Sequence, residues 1–385
     1  MRTYSKMLST LTALFAALLV SCSCDTSSST LPPPSGGNGG TVTKDMTQIY
    51  DYIRGYQLSY IRSLQLPSGA IKDNEAENSK ITPYFAHFAV LALLTEPSDM
   101  NLDAVRKYML WYFGKLNGTS TPYKADEIAG SVYDYMAPDE TTKGTYDSVD
   151  SYAATFLEVA CRFAEVSQGC RNWLDGHKEE LNLVASAMLK TIDCDGNTLP
   201  DENARDFLSI AHYGYPVKYL MDNCEVNMGL KAAVRLEKMG LLESSFDLDA
   251  ILAGNTSGIK GLYNASNSNY DYAKANPSTW DKFYPCATAQ LYPCLFGVVP
   301  ADDSKSRQVY DKFNSSYPDW PSGKAYSGYP WTMVAYAAAA MGDKERVDKY
   351  VLHIYGINVK NEQKELWYDA EAGALLLAID MIRNK

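Results

Sequence analysis

The chain has 385 residues, 46% of them hydrophobic and 21% charged, with a formal net charge of −11. That fits a soluble globular protein of one large domain or two ordinary ones, with ample material for a core. A chain this acidic, without a Lys/Arg run or a basic aromatic patch, excludes nucleic acid and anionic lipid surfaces as partners.

The N-terminus, "MRTYSKMLSTLTALFAALLVSC", carries Arg2 and Lys6 ahead of a short apolar run from Leu8 to Val20. This is the pattern of a secretory signal, too short for a stable spanning helix. Its ending, "LLVSC", resembles the lipobox of bacterial lipoproteins. The resemblance implies removal of residues 1–21, lipid on Cys22 and attachment to a membrane. The other reading is an ordinary signal peptide with an incidental cysteine. Ser23, in place of the Asp that marks inner-membrane retention, points to the outer membrane or surface of a Gram-negative bacterium. Residues 22–43 include the Ser/Gly/Pro tract "DTSSSTLPPPSGGNGGTVT", which cannot bury apolar area and reads as a flexible tether. The folded domain is expected over 44–385.

From Lys44 the apolar residues recur at i, i+3, i+4, i+7. This predicts helices over 46–64, 84–95, 102–116, 150–167, 174–191, 205–221 and 223–239. Further ones follow over 246–253, 284–297, 302–316, 328–341, 343–355 and 367–383. No run of alternating strand residues competes, although a small hairpin within a long loop stays open. Short turns with acidic helix starts alternate with long aromatic loops, as in an array of helical hairpins with function at one end. Six cysteines beyond the N-terminus lack CxxC spacing, and His87, His177, His212 and His353 are scattered, so no zinc motif is read. Without a phosphate-binding loop, a dinucleotide fingerprint or a GxSxG elbow, no cofactor is expected. "DCDGNTLPD" (193–201) spaces oxygen ligands at Asp193, Asp195 and Asn197, yet Gly196 is misplaced for a calcium loop, and a turn is the better reading.

Taken in order, "LPSGAI", "ITPYFAHFAVLALL", "GSVYDY", "YDSVDSYAATFL", "DCDGNTLPDE", "KYLMDNCEVNMGL" and "LWYDAEAGALLLA" resemble the six-hairpin glycosidase superfamily. The resemblance implies an all-α (α/α)6 toroid: twelve helices in two concentric rings. It also implies a carbohydrate cleft at one end, lined by inner-helix N-termini. The superfamily holds hydrolases, lyases and phosphorylases, so the activity is not set by it.

Hydrolysis of a glycosidic bond needs a carboxylic acid and a carboxylate. Asp147 and Asp150, three residues apart at a helix start, can address one cleft, and capping of that helix is the competing reading. Asp134, between Tyr133 and Tyr135, is a loop carboxylate flanked by rings that could stack on sugar. Asp222 and Glu225 read as a cap and its box partner, while the toroid would also direct Asp222 toward Asp147. The expected catalytic set is therefore Asp134, Asp147, Asp150 and Asp222, with Tyr133, Tyr135, Tyr146, Trp280, Trp331 and Trp367 as sugar contacts. Asp73, Glu75, Glu77, Asp369 and Glu371 are secondary acids expected to be solvated. A polysaccharide lyase using Asn203, His212 and Tyr213 is one alternative, and a glycan-binding lipoprotein without catalysis is another. His212 itself reads first as a packing residue.

Overall fold

The computed structural model describes residues 45–118, 127–195, 197, 199, 205–360, 362 and 366–384. The signal, the tether and Cys22 lie outside them, as do Asn203 and the end of the 193–201 loop. Among the described residues the chain forms thirteen α-helices: α1 (Met46–Ser63), α2 (Pro83–Leu93), α3 (Asp99–Gly114), α4 (Val149–Val166), α5 (Gln168–Asp175), α6 (Lys178–Lys190), α7 (Leu220–Lys238), α8 (Leu248–Gly261), α9 (Tyr292–Leu295), α10 (Ser304–Ser316), α11 (Met333–Ala340), α12 (Lys344–Lys360) and α13 (Asp369–Arg383). Two antiparallel pairs of two-residue strands decorate the loops: β1 (Lys80–Ile81) with β2 (Tyr135–Met136), and β3 (Tyr263–Asn264) with β4 (Asn269–Tyr270).

Sequence composition sorts the helices into two rings. The α2, α4, α11 and α13 helices are apolar nearly all round, and almost every residue of Val149–Ala164 is buried. A helix without a polar face has to be enclosed by others. These four, with α7 and α9, touch in the cyclic order α2, α4, α7, α9, α11, α13 and back to α2. The outer helices keep a wet face and a buried stripe, such as Ile49, Ile53, Leu58 and Ile61 of α1, and lie against the inner ring. Each inner helix follows an outer one through a longer loop and, except for the last, leads by a shorter turn into the next outer one, so the six inner helices run in one direction and present their N-termini, with the long loops, at one end. The result is the six-hairpin toroid.

Three departures from the expected elements have physical causes. Expected helix 174–191 is two helices, the first capped by Ser167 Oγ accepting from Cys170 N–H and ending at Gly176. Expected helix 205–221 is instead an extended loop up to Tyr219. Arg205 and Phe207 take positive φ, and Ser209 pairs with Ile192 across an isolated bridge. Buried Asn223 then clamps that loop, accepting from Ser209 N–H at 2.7 Å and donating to Ser209 O at 3.1 Å. Expected helix 246–253 continues as α8 to Gly261. Its glycines dilute the apolar pattern, and Gly254 is needed because a Cβ there would sit 2.4 Å from the Phe207 ring.

The α4/α7 contact is close, since a Cβ on Gly229 would meet Ala154 Cα at 2.5 Å. Gly229→Ala should gain up to ~1 kcal/mol of helix propensity, yet overpacking of about 1–3 kcal/mol exceeds it. Urea denaturation of G229A is expected to give a lower midpoint than wild type. A stabilised variant would mean that the two helices separate freely.

Candidate active site

The inner-helix N-termini are stitched together at the mouth. Tyr84 of α2 donates a short hydrogen bond to Glu225 of α7 and stacks on Tyr152 of α4 at 5.8 Å. Asp369 N–H of α13 donates to Asp73 O, in the loop before α2, at 2.8 Å. Glu371 accepts from Thr332 N–H, at the start of α11, at 2.6 Å. Carboxyl groups therefore crowd the entrance: Asp73, Asp134, Asp147, Asp150, Asp222, Glu225, Asp369 and Glu371.

Their hydrogen bonds separate them. Asp150 is fully buried, with Oδ2 accepting from Ser209 Oγ at 2.6 Å and Oδ1 from Ser151 N–H at 2.8 Å. Both its oxygens are engaged. Burial, then the field of Asp222, pushes its pKa well up. Asp134 is buried and accepts from Tyr152 Oη at 2.9 Å. Burial carries it to about 7, with Asp73 and Asp147 adding to the rise and Tyr152 opposing it. Asp222 is half-buried in the first turn of α7, and its Oδ2 is enclosed without a hydrogen-bond partner. Burial and the neighbouring Asp147 raise it to about 7. Asp147 is the open one, exposed at the mouth, with a long 3.5 Å contact from Ser148 Oγ. The protein packed around its carboxylate raises its pKa, and His212 pulls it back. None of the four is an N-cap: Ser148 and Tyr219 occupy those positions, without side-chain cap bonds. Glu225 likewise completes no capping box, because Tyr84 takes its side chain.

The expected sugar contacts divide. Tyr135 and Trp367 are buried, Tyr135 under Lys115 and Trp111, Trp367 with its indole N–H donating to Gln57 Oε1 at 2.9 Å. Neither has an open face in this fold. Tyr133 is also buried, covered by Lys143 at 4.1 Å and Tyr146 at 4.8 Å. Tyr146 is half-buried, its hydroxyl accepting from Ile128 N–H at 2.9 Å and its ring 5.2 Å from His212. Trp280 is half-buried, and its carbonyl accepts from Tyr317 Oη at 2.6 Å. Trp331 is half-buried at the start of α11.

Sequence reasoning undervalued Asp73, Glu225 and Asp369. Asp73 is buried, accepts from Thr82 N–H and Oγ1 at 2.7 and 2.9 Å, and is pushed by burial to about 6. Asp369 is fully buried, with Oδ2 unpartnered and its pKa well up through burial. The usable signal was an acid within the first turn of an all-round apolar helix, shared by α4 and α13. In the 193–201 loop, Asp193 pairs with buried Lys218 at 2.7 Å, so a lysine supplies the charge that a calcium ion would have brought. A cavity of about 550 Å³ lies between Arg205–Leu208 and α8, away from the acids. Its wall begins beside residues 201–204, outside the described ones, and its Asp206 is already paired with Lys218 and Lys274.

No protein-family model matches the chain, and no curated protein matches it. Solved structures do. A glycosidase variant in complex with glucose is 12% identical, with 89% of this chain and 99% of that one covered at a TM-score of 0.57. An α-amylase from Clostridium perfringens is 13% identical, over 86% and 97% of the two chains, with a TM-score of 0.56. A β-1,3-1,4-glucanase from Paenibacillus is 12% identical, over 90% and 95%, with a TM-score of 0.55. The likeness spans most of this chain and nearly all of each of those, and it is one of fold.

The acid cluster makes stability depend on pH with a definite sign. Asp73, Asp134 and Asp222 titrate at about 6, 7 and 7 when folded, against about 3.9 unfolded. The folded state binds more protons between those values, so stability falls as pH rises through them. His87, buried in an aromatic cage and lowered to about 3 by burial, opposes this below its unfolded value of about 6.5. One histidine is outnumbered. The Tm should rise as pH is lowered from 8 to 5.5, and Asp134→Asn should flatten that slope. A flat or reversed profile in wild type would mean that the cluster is ionised.

Proposed function

We propose that the protein is a glycoside hydrolase acting on a neutral poly- or oligosaccharide, with Asp222 as the acid and Asp147 as the base. The observation that carries this reading is a pair of carboxyls from different hairpins, in each other's field but in opposite surroundings. Asp222, half-buried and held to about 7, keeps its proton near neutrality, and its Oδ2 has no internal partner to satisfy. Asp147, exposed beside His212, is the one placed to ionise first. Environments that push two carboxyls apart are how one site supplies both a proton and a proton acceptor.

In the proposed step the Asp222 O–H protonates the glycosidic oxygen, and the C1–O bond breaks with its electron pair going to that oxygen. Water attacks C1 and yields its proton to Asp147. Asp150, saturated by Ser209 and Ser151, supports the floor and does not react. Because the two carboxyls come from separate hairpins, inversion at C1 is expected. Asp134, gripped by Tyr152, is a proton-holding neighbour of Asp147.

The lyase alternative needs an amide or cation to neutralise a uronate. His212 lies in the field of Asp147, and Asn223 is buried against Ser209, so a uronate at this mouth would meet carboxylates. The binding-protein alternative predicts affinity without turnover. The localisation proposed with this function is extracytoplasmic, through lipid on Cys22. Cys22→Ser should move the protein from the membrane to the soluble fraction.

A panel of plant, microbial and host polysaccharides, read for reducing ends and for the ultraviolet absorbance of unsaturated sugars, tests the reading. Reducing ends without absorbance are expected. Asp147→Asn and Asp222→Asn should each lower kcat/KM by about 10²–10⁴, and the wild-type rate should fall above about pH 7, as Asp222 ionises. Proton NMR of the first product should show the inverted anomer. Absorbance would sink the hydrolytic assignment in favour of a lyase, and binding without either signal would leave a receptor.

A further inference from the structure

Tyr284 was singled out by no pattern in the sequence, yet its place is unusual. The chain enters the fourth inner helix through a π-turn, Phe283–Ala287, in which Tyr284 alone takes extended angles (φ −116°, ψ 136°). That break sends neighbouring rings in different directions. Phe283 is buried against Phe313, Tyr317 and Tyr326, whereas Tyr284 stays 51% exposed. The Tyr284 ring lies against Trp331, at the start of the neighbouring inner helix, with centroids 4.8 Å apart and planes at 36°. Trp331 is held at φ 53°, a conformation that a bulky side chain rarely adopts and that persists where the surroundings over-determine it. Two adjacent helix starts thus build an aromatic corner open on one side. The Tyr284 phenol also feels Asp222, Asp147 and Glu225, and burial together with those acids raises it to about 12, so it remains a neutral donor throughout the working range.

We infer that Tyr284 contacts the substrate directly: the Tyr284–Trp331 corner stacks on a sugar ring, and the Tyr284 hydroxyl hydrogen-bonds that sugar beside Asp222. The inference rests on the glycan reading of the mouth and names the platform within it. An aromatic face suits the apolar C–H face of a neutral pyranose, and the phenol selects a hydroxyl on its edge. Trp331 then fixes the Tyr284 ring and contributes part of the stacking surface.

The experiment uses the full protein and the best oligosaccharide from the polysaccharide panel. Tyr284→Phe should raise KM so that kcat/KM falls about 10-fold, and Tyr284→Ala should lower it about 50-fold or more. Both limbs of the pH profile and the Tm should stay in place, because Asp147 and Asp222 are untouched; a purely structural role would move them. Binding of the same oligosaccharide to Asp147→Asn, followed by quenching of tryptophan fluorescence, should weaken on adding Tyr284→Ala and lose most of its quench on adding Trp331→Phe. Wild-type kcat/KM and affinity in the Tyr284 variants would overturn the inference while leaving the hydrolase intact. Should the protein bind glycans without hydrolysing them, the hydrolytic reading fails and the binding arm still decides on Tyr284. A protein that neither binds nor cleaves any glycan would overturn both.

Discussion

Four helices with little or no polar face, α2, α4, α11 and α13, have to be kept from water by other helices, and closing them with α7 and α9 into a ring is the constraint on which the rest of this structure depends. Closure brings α13, the last inner helix, against α2, the first. It also removes the freedom to place large side chains at some contacts, as at Gly229 against Ala154. Because each hairpin contributes its inner helix in the same sense, closure gathers the N-termini at one end. Everything at the mouth follows from that parallel arrangement, including carboxyls far apart in sequence that come into one another's field.

Helix N-termini favour anions, by about 0.3–1 kcal/mol and up to ~2 in partly buried geometries. The mouth goes the other way. Burial is the largest influence on Asp73, Asp134, Asp150, Asp222, Glu225 and Asp369, and raises all of them. Moving Asp222, in the first turn of α7, from 3.8 to about 7 corresponds to roughly 4 kcal/mol, more than the dipole returns. Desolvation outweighs the dipole, and these acids hold their protons to higher pH than ordinary carboxyls do.

The rings of helices were legible because apolarity all round is a property of a local stretch: "YFAHFAVLALL" and "AAAA" at 337–340 announce enclosure on their own. Loop 205–219 was not, since what unwinds it is remote. Phe207, Leu208, Ile210 and Ala211 keep helical spacing, and the clamp on Ser209 comes from Asn223, fourteen residues on. The acids divide in the same way. That Asp147, Asp150 and Asp222 begin apolar helices is visible in sequence. Which of them is already engaged is not, because Ser209 lies 59 residues from Asp150, and Tyr84 lies 141 from Glu225. Among the aromatics, Trp367 looks like Trp331 by sequence context, each preceding an apolar helical run, and only packing buries the first and leaves the second partly open.

Hydrogen bonding therefore decides between scaffold and chemistry more sharply than position does. Asp150 sits at the centre of the acid cluster and reads as the most natural catalyst by spacing, yet two good hydrogen bonds leave it nothing to give. Asp222 is less enclosed as a residue, yet one of its oxygens is shut away from water and unmatched. An unmatched polar atom destabilises the fold, most of all when it carries charge, so the enclosure that leaves this oxygen without a partner also favours the protonated carboxyl, in line with the raised pKa of Asp222.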